Sequence, residues 1–137
     1  MVRDEVLVPL LIPVDDESLA AEAPPADLVP PRGQLLLATH DGAPVAIGGV
    51  RDLDTAVAAV KSMYVAPSVR GRGLGRRLLG RLEAIAAAHG CRALRLDTAL
   101  HMTAAIALYR DLGYQEIPAY NDGPNADLWF ERTLGPR

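Results

Sequence analysis

Cysteine occurs once in this chain of 137 residues, at Cys91, so no intrachain disulfide can form and a reducing compartment is the natural one. Long apolar runs are missing as well. Val6 to Val14 is short, broken by Pro9 and Pro13, and preceded by Asp4 and Glu5. It makes a poor signal peptide and cannot span a bilayer, so the expected place is the cytoplasm with no membrane partner. Excess positive charge is absent too: a net charge of −3 argues against global attraction to nucleic acid. No His/Cys/Asp cluster has metal-ligand spacing, so no metal is expected, and no serine sits on a nucleophile elbow. Between Glu22 and Glu83 there is no glutamate at all.

What is there reads as one domain over residues 1–137, long enough to bury a core. Residues 1–33 hold six of the 11 prolines, which argues against long helices there; Val6, Val8 and Leu10 alternate like a short edge strand, and Ser18 to Ala23 allows a turn or two of helix. Gln34 to His40, Val45 to Arg51 and Ala56 to Val65 read as three strands of an antiparallel meander, with a hairpin signal at Asp41-Gly42 and a second turn at Asp52 to Thr55. The period then changes. Leu74, Leu78, Leu79, Leu82, Ile85 and Ala86 form one helical stripe that runs towards His89 and stops at Gly90. Ala93 to Asp97 is the next strand, and a strand reached through a helix is expected to lie parallel to the strand before it. Thr103 is placed to cap a helix to Leu112, with Gly113 as its stop. Tyr114 to Ile117 and Asp127 to Arg132 close the chain as two strands.

The strand-to-helix junction reads Arg70-Gly71-Arg72-Gly73-Leu74-Gly75, followed by Arg76 and Arg77. Glycines let a backbone approach an anion, and the free N–H groups of a first helical turn point at it. Five of the 14 basic residues lie between Arg70 and Arg81, a local patch suited to a small polyanion. A Walker-type loop needs Lys and Ser or Thr after its last glycine, and Gly75 is followed by arginines. A dinucleotide fingerprint needs different glycine spacing and a parallel start, although Asp97 falls near where its acid would be.

Arg70, Gly73 and Gly75 do match the pattern Arg/Gln-x-x-Gly-x-Gly/Ala. With the blocks KSMYVAPSVRGRGLGRRLL, RLDT, AAIALYRDLGY and EIPAYNDGPNADLWFERTL, in that order over about residues 34–134, the chain resembles the GNAT superfamily of N-acetyltransferases, and within it small bacterial members of unassigned substrate. The resemblance implies an α/β fold, the acyl-CoA N-acyltransferase fold: a mixed, mostly antiparallel sheet flanked by helices, with a splayed parallel strand pair. It implies acetyl-CoA as cofactor. The segment Arg70, Gly71, Arg72, Gly73, Leu74, Gly75 and Arg76 would hold the pyrophosphate. Met63, Tyr64 and Val65, on a bulged strand, would line the pantetheine arm, with a backbone N–H at Met63 or Val65 facing the thioester oxygen. The acceptor would be a primary amine of a small molecule or peptide, near Tyr120 and Asn121; edge-strand pairing into a homodimer is common in the fold.

Acetyl transfer needs a neutral amine, a donor for the carbonyl oxygen and a proton for the departing thiolate. Helical spacing alone reads Tyr109 as a packing residue; its place in AAIALYRDLGY implies the acid beside the sulfur. The strand glutamate that relatives use as base is Ala59 here, and the neighbouring arginine is Ser62. Water, or one of Asp52, Asp54, His101 and Tyr120, is left to take the proton. An acceptor with a low-pKa amine would have the least need of a base. The other reading is a CoA-binding module, weak or inactive in catalysis, that acts as a sensor or partner subunit.

Overall fold

The computed structural model describes residues 5–9, 33–40, 43–66, 71 and 73–134. The expectations for Ser18 to Ala23, for the Asp41-Gly42 turn, and for Arg70 and Arg72 lie outside them. In chain order the elements are β1 (Glu5–Pro9), β2 (Gly33–His40), β3 (Ala43–Asp52), β4 (Val57–Val65), α1 (Leu74–Ala88), β5 (Ala93–Thr98), α2 (Thr103–Asp111), β6 (Gln115–Ile117) and β7 (Leu128–Thr133).

The strands form a sheet in the order β1-β2-β3-β4-β5-β7-β6. The first four run as an antiparallel meander. The α1 crossover then sets β5 parallel to β4, as a crossover of this length demands. The last two strands form an antiparallel hairpin, but β7 rather than β6 docks on β5, along all six β5 residues from Ala93↔Thr133 to Thr98↔Leu128.

Side chains alternate across the strands, so one face carries the core. Leu36, Ala38, Val50, Ala58, Val60, Leu94, Leu96 and Phe130 pack under the buried stripe Leu74, Leu78, Leu79, Leu82 and Ala86 of α1. Helix α2 lies on the same face. Arg76 of α1 bonds Asp111 of α2, and a Cβ on Gly75 would stand 3.5 Å from Leu108. Behind them Glu83 (side chain 17% exposed) accepts the Tyr114 hydroxyl at 2.7 Å and Arg132 Nη1 at 2.8 Å, which ties α1 to the end of α2 and to β7.

Helix ends depart from the expected capping at one point. Thr103 is the first helical residue of α2 and not its cap; Met102 holds the cap position and makes no side-chain cap bond. Gly90 and Gly113 do adopt the left-handed backbone, φ 88° and 93°, that ends a helix.

Candidate active site

The parallel pair is short. Only Val57↔Ala93, Ala58↔Leu94 and Ala59↔Arg95 face each other; beyond Ala59 and Arg95 the two strands part. β4 stays on β3 to its end, where Ala66 N–H reaches the Val45 carbonyl at 2.8 Å. β5 stays on β7 to Thr98. The β4 edge from Val60 to Val65 therefore has no strand partner on the β5 side. An extended ligand lying between two parted strands can add to such an edge.

A register shift between Ile47 and Gly49 marks the same stretch: Gly48 alone spans the interval facing Ser62 and Met63. This is a bulge, which turns the strand and re-aims its side chains. Gly48 is what lets it pack, since a Cβ there would stand 2.8 Å from the Met63 sulfur and 3.1 Å from Leu78. Met63 and Val65 are half-buried and Tyr64 is 40% exposed.

At the end of the splay comes the start of α1. Gly71 and Gly73 are left-handed, φ 82° and 79°, and a Cβ added at either would meet nothing within 4 Å, so backbone conformation rather than space requires glycine. Gly73 is the N-cap, and the first bond into the helix runs from Arg77 N–H to the Gly73 carbonyl at 3.0 Å. The N–H groups of Leu74, Gly75 and Arg76 precede that bond and have no acceptor within the helix. No acidic side chain occupies the first turn to compete for them. Leu74 itself points into the core at 1% exposure. The Arg76 guanidinium is engaged by Asp111, so Arg76 offers an anion its backbone N–H ahead of its side chain.

Tyr109, on α2, is buried at 5% exposure, with ring centroids 5.9 Å from Tyr114 and 6.0 Å from Phe130. Among the described residues nothing hydrogen-bonds its hydroxyl. Burial raises the phenol pKa above its ordinary value, and the Asp97 carboxylate adds to the rise. A phenol held protonated at neutral pH is a proton donor.

The base candidates separate clearly. Asp54 accepts the Ala56 and Val57 N–H groups, and Asp52 lies against His89 Nδ1 at 3.3 Å. Both stand at the start of β4, roughly 26 Å along the strand from Val65 at the usual rise per residue. Tyr120, at the opening, has a pKa pushed up to about 12 by burial and by Asp97, against Arg95 and Arg51, so it holds its proton too firmly to act as a base near neutrality. His101 is exposed in the turn after β5. Ala59 is fully buried opposite Arg95 and Arg51.

One carboxylate at the opening was not among those candidates. Asp97 follows the last β4–β5 pair by two residues, on the sheet face opposite α1 and α2, and accepts Asn121 Nδ2 at 3.0 Å. Asn121 Oδ1 in turn accepts Trp129 Nε1 at 3.0 Å and Gly123 N–H at 3.1 Å. Strand alternation places Asp97 on the far face from the sequence alone; that Asn121 would meet it needed the β5–β7 pairing. No group of three or more His, Cys, Asp or Glu side chains fit to hold a metal occurs among the described residues.

The sequence model of the Acetyltransferase (GNAT) family matches residues 4–114. The chain belongs to the GNAT acetyltransferases. An IAA acetyltransferase of Azospirillum brasilense is 39% identical over 110 residues, 78% of this chain and 72% of that protein. A Klebsiella pneumoniae chain ascribed to the acyl-CoA N-acyltransferases superposes with a TM-score of 0.77 at 28% identity, over 96% of this chain and 98% of the other. A GNAT acetyltransferase of Elizabethkingia anophelis with acetyl-CoA bound shares the fold at a TM-score of 0.69 and 16% identity, over 96% and 99%. This GNAT acetyltransferase thus has the expected mixed, mostly antiparallel sheet with helices and a parallel pair that opens. No helix among the described residues is long and apolar enough to cross a membrane.

Proposed function

We propose that this chain, as one acetyltransferase domain, moves an acetyl group from acetyl-CoA to a primary amine by direct attack within a ternary complex. The observation that carries the reading is the opening of β4 from β5 beyond Ala59, followed by a helix start whose first-turn N–H groups have no intrahelical acceptor. Pantetheine would lie along β4 at Met63 to Val65, beyond the last β4–β5 pair. The pyrophosphate would lie on the N–H groups from Gly71 to Arg76, where the left-handed glycines and the helix dipole favour an anion. Arg70 and Arg72 would add charge from either side of Gly71.

Coenzyme A supplies the activated thioester. The chain's part is to hold the acyl carbon in reach of the amine, to offer a β4 backbone N–H to the carbonyl oxygen, and to give the Tyr109 proton to sulfur. A phenol is a weaker acid than a thiol in water by about 1.5 pK units, and burial weakens Tyr109 further, so the proton moves to sulfur only as negative charge builds there with C–S cleavage. The acceptor would be a small molecule or peptide, reached at the face that carries Tyr120 and Asn121.

A CoA-binding module without turnover is the second reading, motivated by Ala59, a fully buried methyl where relatives place a glutamate. Titration calorimetry with coenzyme A, followed by thiol release from acetyl-CoA across an amine panel, tests both. Micromolar affinity with thiol release is expected. Affinity without release from any amine leaves the module, and no affinity removes both.

A further inference from the structure

We propose that Asp97 is the counter-charge that receives the acceptor's ammonium group at the mouth of the β4–β5 opening, with Asn121 as its positioning residue. The inference rests on the acetyl-transfer reading and adds to it the group that recognises the acceptor.

The side chains around Asp97 leave a charge unanswered. It is half-buried, yet among the described residues its only bonded partner is the neutral Asn121 amide. The other carboxylates near it are occupied: Glu131 holds Arg95 Nε at 2.8 Å, and Asp127 accepts Leu100 N–H at 2.9 Å. Arg95, two residues before Asp97 on the same face, is thereby taken, and its Cζ also lies 5.4 Å over the Tyr120 ring. A carboxylate withdrawn from water with one neutral donor is short of what it gave up. A bound cation at the opening restores it.

Its geometry is held. Asn121 Oδ1 takes two donors, Trp129 Nε1 and Gly123 N–H, so its amide can only turn Nδ2 to Asp97. Trp129 faces Asp97 across the β5–β7 ladder, so the strand pairing itself builds the support. After burial, the Asp97 charge also raises the pKa of both Tyr109 and Tyr120.

In the reaction the ammonium docks on Asp97 and sheds one proton through the carboxylate to solvent. The neutral nitrogen attacks the acyl carbon, the C–S bond breaks, and sulfur takes the Tyr109 proton. The second nitrogen proton restores the phenol. Acetyl-CoA and a protonated amine thus give an amide, free coenzyme A and one proton.

The test compares wild type, Asp97→Asn, Asp97→Glu and Asn121→Ala with benzylamine, spermidine and glycinamide as acceptors. Asp97→Asn keeps the Asn121 bond and should raise the amine KM about ten- to a hundredfold, the loss expected of a charge-assisted contact, while the Kd for coenzyme A stays within about twofold. Asp97→Glu should recover part of the loss, and Asn121→Ala should show a smaller rise. An unchanged amine KM in Asp97→Asn, or an equal loss of coenzyme A affinity, overturns the proposal. A second arm reads binding without turnover: calorimetry on the coenzyme A complex should find benzylamine bound by wild type, benzyl alcohol not bound, and neither bound by Asp97→Asn. Equal binding of amine and alcohol, or no amine bound at all, also overturns it. Wild type failing to bind coenzyme A would instead sink the acetyl-transfer reading.

Discussion

The two ends of the β4–β5 pair differ in what their charges do. At the start of β4 the strands are zipped from Val57↔Ala93 to Ala59↔Arg95, and the acids there serve the backbone: Asp54 accepts two N–H groups of its own turn, and Asp52 holds His89 at the end of α1. At the far end the ladder stops. There the first-turn N–H groups of α1 have no acceptor within the helix, no described residue hydrogen-bonds the Tyr109 hydroxyl, and Asp97 accepts the Asn121 amide. Closed groups stabilise and open ones are free to meet a ligand. The same two strands supply both, because they pair over three residues and then follow different neighbours, β4 with β3 and β5 with β7.

The sharpest way to break the contrast is at Tyr109, the proposed acid. Tyr109→Phe should lower kcat about a hundredfold or more with the Kd for acetyl-CoA unchanged, measured by steady-state kinetics and calorimetry. Because the phenol pKa is raised, the protonated form persists to higher pH, so kcat should show no alkaline fall below about pH 10. Next comes the bulge. Gly48→Ala sets a Cβ 2.8 Å from the Met63 sulfur and should cost about 1–3 kcal/mol in chemical denaturation while raising the KM for acetyl-CoA. The head of α1 offers a smaller, paired test. Gly73→Ala must hold φ 79° and should lose about 1–2 kcal/mol, whereas Gly75→Ala meets only an ordinary 3.5 Å contact and should gain up to about 1 kcal/mol. The smallest effect belongs to the closed end: Asp54→Ala should lower stability by about 1 kcal/mol, read as a modest drop in Tm, with kcat/KM unchanged.

Much of this was legible residue by residue. The α1 stripe from Leu74 to Ala86 is buried as its period predicts, and the change from alternation to helical spacing marks the crossover. Both left-handed glycines at the head of α1 lie in the RGRGLG turn. Other features were not legible. Thr103 has the chemistry of a cap, yet the chain enters α2 one residue earlier, through Met102. Asp52, Asp54, His101 and Tyr120 stand alike as base candidates in the sequence, and Asp97 is not among them. Only burial, a bond to a turn or a missing cation tells them apart, and each depends on residues far along the chain. Asn121 and Trp129 carry no motif that announces a shared hydrogen bond.

The amino-acid order by itself determined the elements, their sequence along the chain and the glycine-framed helix start, because each follows from neighbours within a few residues whose backbone preferences and side-chain period act locally. Tertiary structure alone decided where β4 leaves β5, that β7 and not β6 lies on β5, and which carboxylate was left with a neutral amide as its partner. Those outcomes turn on which distant backbones pair and which distant charges meet, and no local preference encodes them.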